Sequence, residues 1–223
     1  MSTQEDFINS VLHGAVEIQT KTGLPAAVMI AQAILETGWG KSVCKDINTG
    51  QYSYSLFNIK GTGPAGSVLV WTWEEYNGKS VKIKDSFRAY HNYAESFADY
   101  AKLITGASRY KPAVAVANDP IAYAYKIKEC GYATDSAYPG KLINLMETWN
   151  LIERVKEALN LMKIPIEVEE LKVLLNGQPV ANSVLLNING RDTAYIPANV
   201  LRDAGIEVTW DEPSNTVKIV TKQ

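Results

Sequence analysis

Leu24-Pro-Ala-Ala-Val-Met-Ile-Ala-Gln-Ala-Ile-Leu-Glu36-Thr-Gly-Trp-Gly-Lys41 is the stretch whose reading decides the fold. Val28, Ala31, Ile34 and Leu35 recur at helical spacing. Met29 and Ile30 make the segment apolar nearly all round, so it predicts a buried helix. Pro25 suits the first helical turn, where a missing N–H costs nothing. Gly38 and Gly40 supply stop and turn signals. Glu36 is the only charged residue between Leu24 and Trp39. Burial and the negative end of the helix dipole both disfavour an ionised carboxyl at that place. A raised pKa is what a general acid working near neutral pH needs. The same spacing also fits an ordinary helix-end glutamate, half exposed and inert.

The 223 residues suffice for one or two domains, each able to bury a core. With 46% hydrophobic and 21% charged residues, the chain is globular rather than disordered. A net charge of −2 and the lack of a Lys/Arg cluster argue against nucleic acid as a partner. No apolar run approaches a membrane span, so no membrane insertion is expected. The polar, acidic start Met1-Ser-Thr-Gln-Glu-Asp-Phe7 lacks a signal-peptide pattern. A protein that starts in the cytoplasm, or one whose leader has been trimmed, is expected. Cys44 and Cys130 lie far apart without metal-ligand spacing and are expected as unpaired thiols. His13 and His91 each lack a nearby ligand partner, so a metal site has little support. Twelve Tyr and five Trp outnumber four Phe, a composition suited to stacking on sugar rings and equally to filling cores.

Along the chain, Asp6–Lys21 reads as a helix through Phe7, Val11, Ala15 and Ile18, with Ser2 or Thr3 as its cap. Ser42–Ser55 reads as an exposed loop, and Ser55–Gly61 as a compact apolar-polar knot. From Ser67 to Tyr90 the period changes to two, and Asn77-Gly78 marks a hairpin. Helices resume at Ala94–Ile104, then at Pro120–Cys130 with Asp119 as cap and Gly131 as stop. One long last helix is expected from Tyr138 to Met162. Beyond Ile164-Pro165 the pattern is β-like around Asn176-Gly177 and Asn189-Gly190. A short helix follows at Pro197–Ala204, then a hairpin joining Ile206–Trp210 to Val217–Val220. The domain boundary falls between about Lys163 and Leu171.

Glycoside hydrolysis needs one carboxylic acid to protonate the leaving oxygen and a second carboxylate as base or nucleophile. Glu74 and Glu75 in the hairpin are candidates for the second, and only one of them can face a given cleft. Solvated hairpin charges are the plain alternative. Gly131-Tyr132-Ala-Thr134-Asp135 sets a tyrosine and a threonine between two helices. Tyr132 there can bind a sugar or orient the acid, while Thr134 or Asp135 can start the next helix. Asn58 and Lys60 either bind a substrate carbonyl or carboxylate, or anchor their loop.

At these residues a resemblance appears. Ala33-Ile-Leu-Glu36-Thr-Gly-Trp-Gly-Lys41 resembles the catalytic stretch of the cell-wall N-acetylglucosaminidases of glycoside hydrolase family 73. Leu56-Phe-Asn58-Ile-Lys60-Gly61 is similar to the family's Leu-Phe-Gly-Ile-Lys-Gly motif, with Asn58 in place of its glycine. Thr72-Trp-Glu74 resembles its Thr-x-Glu; Phe87–Tyr90, Glu95–Tyr100 and Gly131–Tyr138 follow in the family's order. The resemblance spans about Glu5 to Leu151. It implies an α+β architecture: a lysozyme-like, mainly helical catalytic domain at 1–163 with a small β-hairpin lobe and a glycan cleft. It also implies Glu36 as general acid, Glu74 as second carboxylate with Glu75 as rival, and Tyr132 as the active-site tyrosine. Trp39, Asn58, Lys60, Trp71, Glu75, Thr134 and Tyr138 are the expected substrate-binding residues. Asn58 is expected to alter its loop, because glycine tolerates conformations that asparagine adopts less freely.

Residues 171–223 are similar to the small "copper amine oxidase N-terminal-like" domain. The likeness runs through Val173-Leu-Leu-Asn-Gly-Gln-Pro-Val180, Ala194-Tyr-Ile-Pro197 and Gly205–Asp211. This block holds no His or Cys to bind copper, and a small α+β module for wall targeting or homo-oligomer formation is expected. Exposed edge strands would suit pairing with a second copy. The resemblance thus implies a peptidoglycan hydrolase, an endo-β-N-acetylglucosaminidase that cuts the β-1,4 bond after N-acetylglucosamine in glycan strands of the cell wall without a metal or organic cofactor, as an endolysin or autolysin. Rival readings are a muramidase or lytic transglycosylase on the same fold, and a non-catalytic wall-binding protein.

Overall fold

In a computed structural model the chain divides into two compact units, Met1–Met162 and Lys163–Gln223. The described residues are 3–76, 79–163 and the strands beyond, with side chains given from 3 to 161 except at 74 and 76. In the first unit, α1 (Thr3–Thr22) and α2 (Ala26–Thr37) precede a hairpin of β1 (Ser67–Tyr76) and β2 (Lys79–Arg88). The chain continues through α3 (Tyr93–Gly106), a 3-10 turn at Ser108–Tyr110 and α4 (Lys111–Val114). It ends with α5 (Pro120–Glu129), α6 (Tyr138–Thr148) and α7 (Leu151–Lys163).

The central member is α2, which packs against α1, α5 and α6. Its sequence explains why. Val28, Met29, Ile30, Ala31 and Ala33 are all fully buried, so no side of the helix faces water until its last turn. Met29 and Ile30 alone contribute about 1.5–3 kcal/mol each through burial. Pro25 sits one position earlier than expected, as the extended residue before the helix. Its carbonyl accepts the N–H groups of Val28 and Met29.

Both hairpin strands run antiparallel, and Ser67 pairs with Arg88 at one end and Tyr76 with Lys79 at the other. The Asn77-Gly78 turn itself lies outside the described residues, as does the Ser2 cap. Val68 and Phe87 are buried with Ala89 at the hairpin's base. They share a face with positions 70, 72 and 74, because alternate residues in a strand face the same way. Trp71 and Trp73 lie on the opposite face, 52% and 64% exposed.

Two expectations fail. Ser42–Ser55 is not wholly exposed, since Ser53 and Ser55 are buried and Lys45 bridges to Tyr52. The long last helix is also two helices, broken at Trp149 and Asn150. Asn150 takes a left-handed φ of 50°, a conformation that asparagine adopts more readily than other side chains. It then starts α7 by accepting the Arg154 N–H on its carbonyl. Apolar periodicity cannot register such a break, because Leu145, Met146, Leu151 and Ile152 keep the helical spacing across it.

The second unit contains β3 (Val168–Glu170), β4 (Val173–Leu175), β5 (Gln178–Val180), β6 (Val184–Ile188), β7 (Arg191–Asp192), β8 (Ile206–Asp211) and β9 (Thr216–Thr221). Antiparallel pairs join β3 to β6, β6 to β7, β4 to β5 and β8 to β9. The expected helix at 197–204 and the turns at 176–177 and 189–190 lie outside the described residues.

Candidate active site

Glu36 stands in the last turn of α2, half-buried at the point where the helix stops. The stop is built locally. Gly38 adopts a left-handed φ of 54° and returns its N–H to Ile34. Thr37 Oγ1 donates to the Ala33 carbonyl at 2.6 Å and accepts the Gly40 N–H at 2.9 Å. Trp39 and Gly40 are left-handed too, at φ 66° and 77°. Glycine bears this at no steric cost, while Trp39 carries strain of about 1–3 kcal/mol. Packing offsets that strain: the Trp39 ring meets Trp149 edge-on at 4.8 Å. Trp39, expected as a substrate residue, is half-buried and also packs the turn.

Burial pushes the Glu36 carboxyl above its ordinary value, and a hydrogen bond from the Asn58 side chain pulls partly the other way. Desolvation therefore dominates at Glu36, as expected for a carboxyl on an apolar helix. Asn58 takes φ 49°, the left-handed conformation open to glycine, and adds an amide that acts on the acid. Lys60 instead pairs with Asp85 of β2 at 2.7 Å, which ties the loop to the hairpin.

A tyrosine cluster packs around this end of α2. Tyr132 follows Gly131, whose φ of 81° turns the chain after α5. Arg109 fixes that turn by donating to the carbonyls of Cys130 and Gly131, both at 3.0 Å. The Tyr132 ring lies 5.9 Å from Tyr100, 6.3 Å from Tyr110 and 6.0 Å from Tyr138. Burial raises the Tyr132 and Tyr138 hydroxyls far above the usual phenol range, and the charge of Glu36 adds to both rises. Both therefore stay protonated near neutral pH and sit within electrostatic reach of the acid. Tyr138 is buried rather than open. Thr134 is exposed, and Asp135 caps the approach to α6 by accepting the Ala137 N–H at 2.9 Å.

Sequence reasoning missed Gln32. It is fully buried, one helical turn before Glu36. Tyr100 Oη donates to its Oε1 at 2.7 Å, and its Nε2 donates to Tyr138 Oη at 3.0 Å. The signal was a lone amide at the i−4 position of Glu36 on an apolar helix. The remaining motifs brace one another. Arg88 Nη1 donates to both Asp99 oxygens, at 2.9 and 2.7 Å, and Tyr90 Oη joins them at 2.7 Å. Buried Ser96 accepts the Leu56 N–H at 3.0 Å.

Hairpin register separates the two glutamates. Glu74 pairs with Val81 and belongs to the face of Val68 and Phe87, whereas Glu75 pairs with Ser80 on the face of Trp71 and Trp73. Trp71 is overlaid by the ammonium groups of Lys84 at 4.9 Å and Lys82 at 5.3 Å. Cys44 and Cys130 are free thiols. Among the described residues, no group of three or more His, Cys, Asp or Glu is arranged to hold a metal, and no helix is long and apolar enough to cross a membrane.

The family profile described as mannosyl-glycoprotein endo-beta-N-acetylglucosaminidase matches residues 12–151. Peptidoglycan hydrolase FlgJ of Pseudomonas aeruginosa is 34% identical over 160 residues, covering 70% of this chain and 40% of that protein. A Lactococcus lactis protein named "Probable N-acetylmuramidase" is 36% identical over 155 residues, covering 67% of this chain and 34% of its own length. The catalytic domain of the Listeria monocytogenes autolysin Auto superposes with a TM-score of 0.60 at 32% identity, over 69% of this chain and 88% of that one. The chain spans less than half the length of the first curated relatives it matches.

Proposed function

Because the chain belongs to the glucosaminidase family, matched over residues 12–151, we propose that it hydrolyses the glycan backbone of bacterial peptidoglycan with Glu36 as general acid. The single observation that carries the proposal is the placement of Glu36. It is a half-buried carboxyl with raised proton affinity, held at the end of a rigid helix beside two protonated tyrosines. Such an acid keeps its proton near neutral pH and delivers it to the leaving glycosidic oxygen. The bond cut is the β-1,4 linkage after N-acetylglucosamine. Tyr132 positions the acetamido group or the attacking water.

Glu74 is the second carboxylate of this reading, supporting water attack or the positive charge that develops at the anomeric carbon. Hairpin register favours it over Glu75, since position 74 shares the face of the buried Val68 and Phe87. The names of the relatives favour a muramidase as the second reading, as one of them bears that activity in its name.

Residues 171–223 form, in this reading, a copper amine oxidase N-terminal-like module that targets the wall or pairs two copies. A chain ending at Lys163 that loses wall affinity or halves in solution mass supports the module's role; unchanged affinity and mass remove it.

Mass spectrometry of digested cell wall tests the reaction. Reducing-end N-acetylglucosamine supports it, reducing-end N-acetylmuramic acid gives the muramidase reading, and anhydro-muramyl ends sink both. Glu36→Gln should lower turbidity clearing by about 10²–10⁴, the usual contribution of a positioned acid. Clearing at the wild-type rate in a folded variant removes Glu36 from the mechanism.

A further inference from the structure

We propose that Cys44 and Asn58 form a positioning relay for Glu36, in which the Cys44 thiol fixes the Asn58 amide so that its N–H group faces the acid. The proposal rests on the reading of Glu36 as general acid and extends it to two residues to which that reading gives no role in holding the acid.

Three observations converge. Cys44 Sγ lies 3.6 Å from Asn58 Oδ1, within hydrogen-bond reach for sulfur, and donates to it. The Asn58 side chain in turn acts on Glu36, holding its carboxyl below the level that burial alone would give. Asn58 itself holds a left-handed φ of 49°, at a position where the resembling motif has glycine and therefore no side chain at all.

The chemistry of the amide makes the thiol matter. An asparagine side chain has a donor end and an acceptor end of nearly the same shape. With Oδ1 engaged by the thiol, Nδ2 is the end left for Glu36, and an N–H facing a carboxylate stabilises its charged form. Without the thiol the amide is free to turn over. Its oxygen then faces Glu36, repels the carboxylate and welcomes the protonated acid. Burial raises the Cys44 thiol, so it remains S–H and keeps donating throughout the neutral range. The relay thus sets how far desolvation raises the acid, and stabilises the carboxylate left when Glu36 gives its proton to the leaving oxygen.

The test is the titration of Glu36 in the full chain, read by the carbon-13 shift of its carboxyl group and by the alkaline limb of wall-clearing activity. Asn58→Gly suits the left-handed backbone without strain, so it removes the amide and leaves the loop path. Both readouts should move to higher pH in Asn58→Gly, because a bond to the ionised form is lost. Cys44→Ala should move them the same way, and Cys44→Ser, which restores a hydroxyl donor, should return them toward wild type. A purely structural cysteine would change stability without moving this titration. Titrations of Asn58→Gly or Cys44→Ala that superimpose on wild type overturn the relay. So does a Cys44→Ser titration that follows Cys44→Ala. The carbon-13 titration needs no substrate, so it judges the relay even if the reaction is misassigned; that failure shows separately, as full activity in Glu36→Gln.

Discussion

Replacing Gln32 by leucine isolates the bridge behind the acid. In the native chain Gln32 accepts from Tyr100 and donates to Tyr138, and all three are almost fully buried. Leucine fills much of the same volume and makes neither bond. Tyr100 has a second hydroxyl neighbour, Tyr123 at 3.4 Å, so part of its loss is recovered. Tyr138 loses the Gln32 donor. A buried group stripped of its partner costs about 1–3 kcal/mol, so Gln32→Leu should destabilise by roughly 2 kcal/mol. For a domain of this size that lowers Tm by about 4–8 °C. Tyr138→Phe removes the other end of the bond and strands Gln32 Nε2, at a similar cost. The double variant leaves neither end stranded, so it should cost little more than one single variant. The expected coupling is about 1–2 kcal/mol, well outside the ~0.5 kcal/mol within which independent sites add. Denaturant unfolding followed by near-ultraviolet circular dichroism measures all four chains. Single effects that sum to the double within that margin would refute the bridge as a shared, buried hydrogen bond.

Gly40→Ala should destabilise the chain by about 1–3 kcal/mol through strain and overpacking, because its Cβ would stand 2.8 and 2.9 Å from ring carbons of Phe7. Gly50→Ala is the control in thermal unfolding: it has a similar φ of 74° and open space around it, so it should cost less. Asp46 accepts the N–H groups of Asn48, Thr49 and Leu69, which lowers its pKa to about 2 from an ordinary 3.8. Its stabilising contribution is therefore present above about 3.8 and lost as pH falls through about 2. Asp46→Asn should flatten the stability curve in that acid window, and an unchanged acid slope would count against the assignment. Glu74→Gln should depress wall clearing far more than Glu75→Gln; a large loss confined to Glu75 reverses the choice between them.

Much of the catalytic domain was legible in the chain. The apolar wrap of α2 read as burial, the Thr37–Gly40 turn as its stop, and the change of period at Ser67 as a hairpin. These are local signals, set by residues within a turn or a strand of one another. Asp119 behaves the same way, capping α5 through its Oδ1 to Ile121 and Ala122. The break at Asn150 was not legible, since one backbone torsion ended the helix while the apolar spacing continued. The packing of Trp39 was not legible either, since its ring meets Trp149, a residue 110 positions away in the chain. No window of sequence contains both.

By itself the sequence determined that a carboxyl stands at the end of a buried helix, because apolar spacing and glycine stops are written in consecutive residues. It also determined the order of the motifs that announce the family. Only the tertiary structure decided what surrounds that carboxyl. Gln32, Tyr100 and Tyr138 meet from three helices, Asn58 from a loop, and Arg109 holds the turn that carries Tyr132. The proton affinity of Glu36 is set by desolvation and by the Asn58 amide. Both depend on distances across the fold, and chain order does not specify those distances.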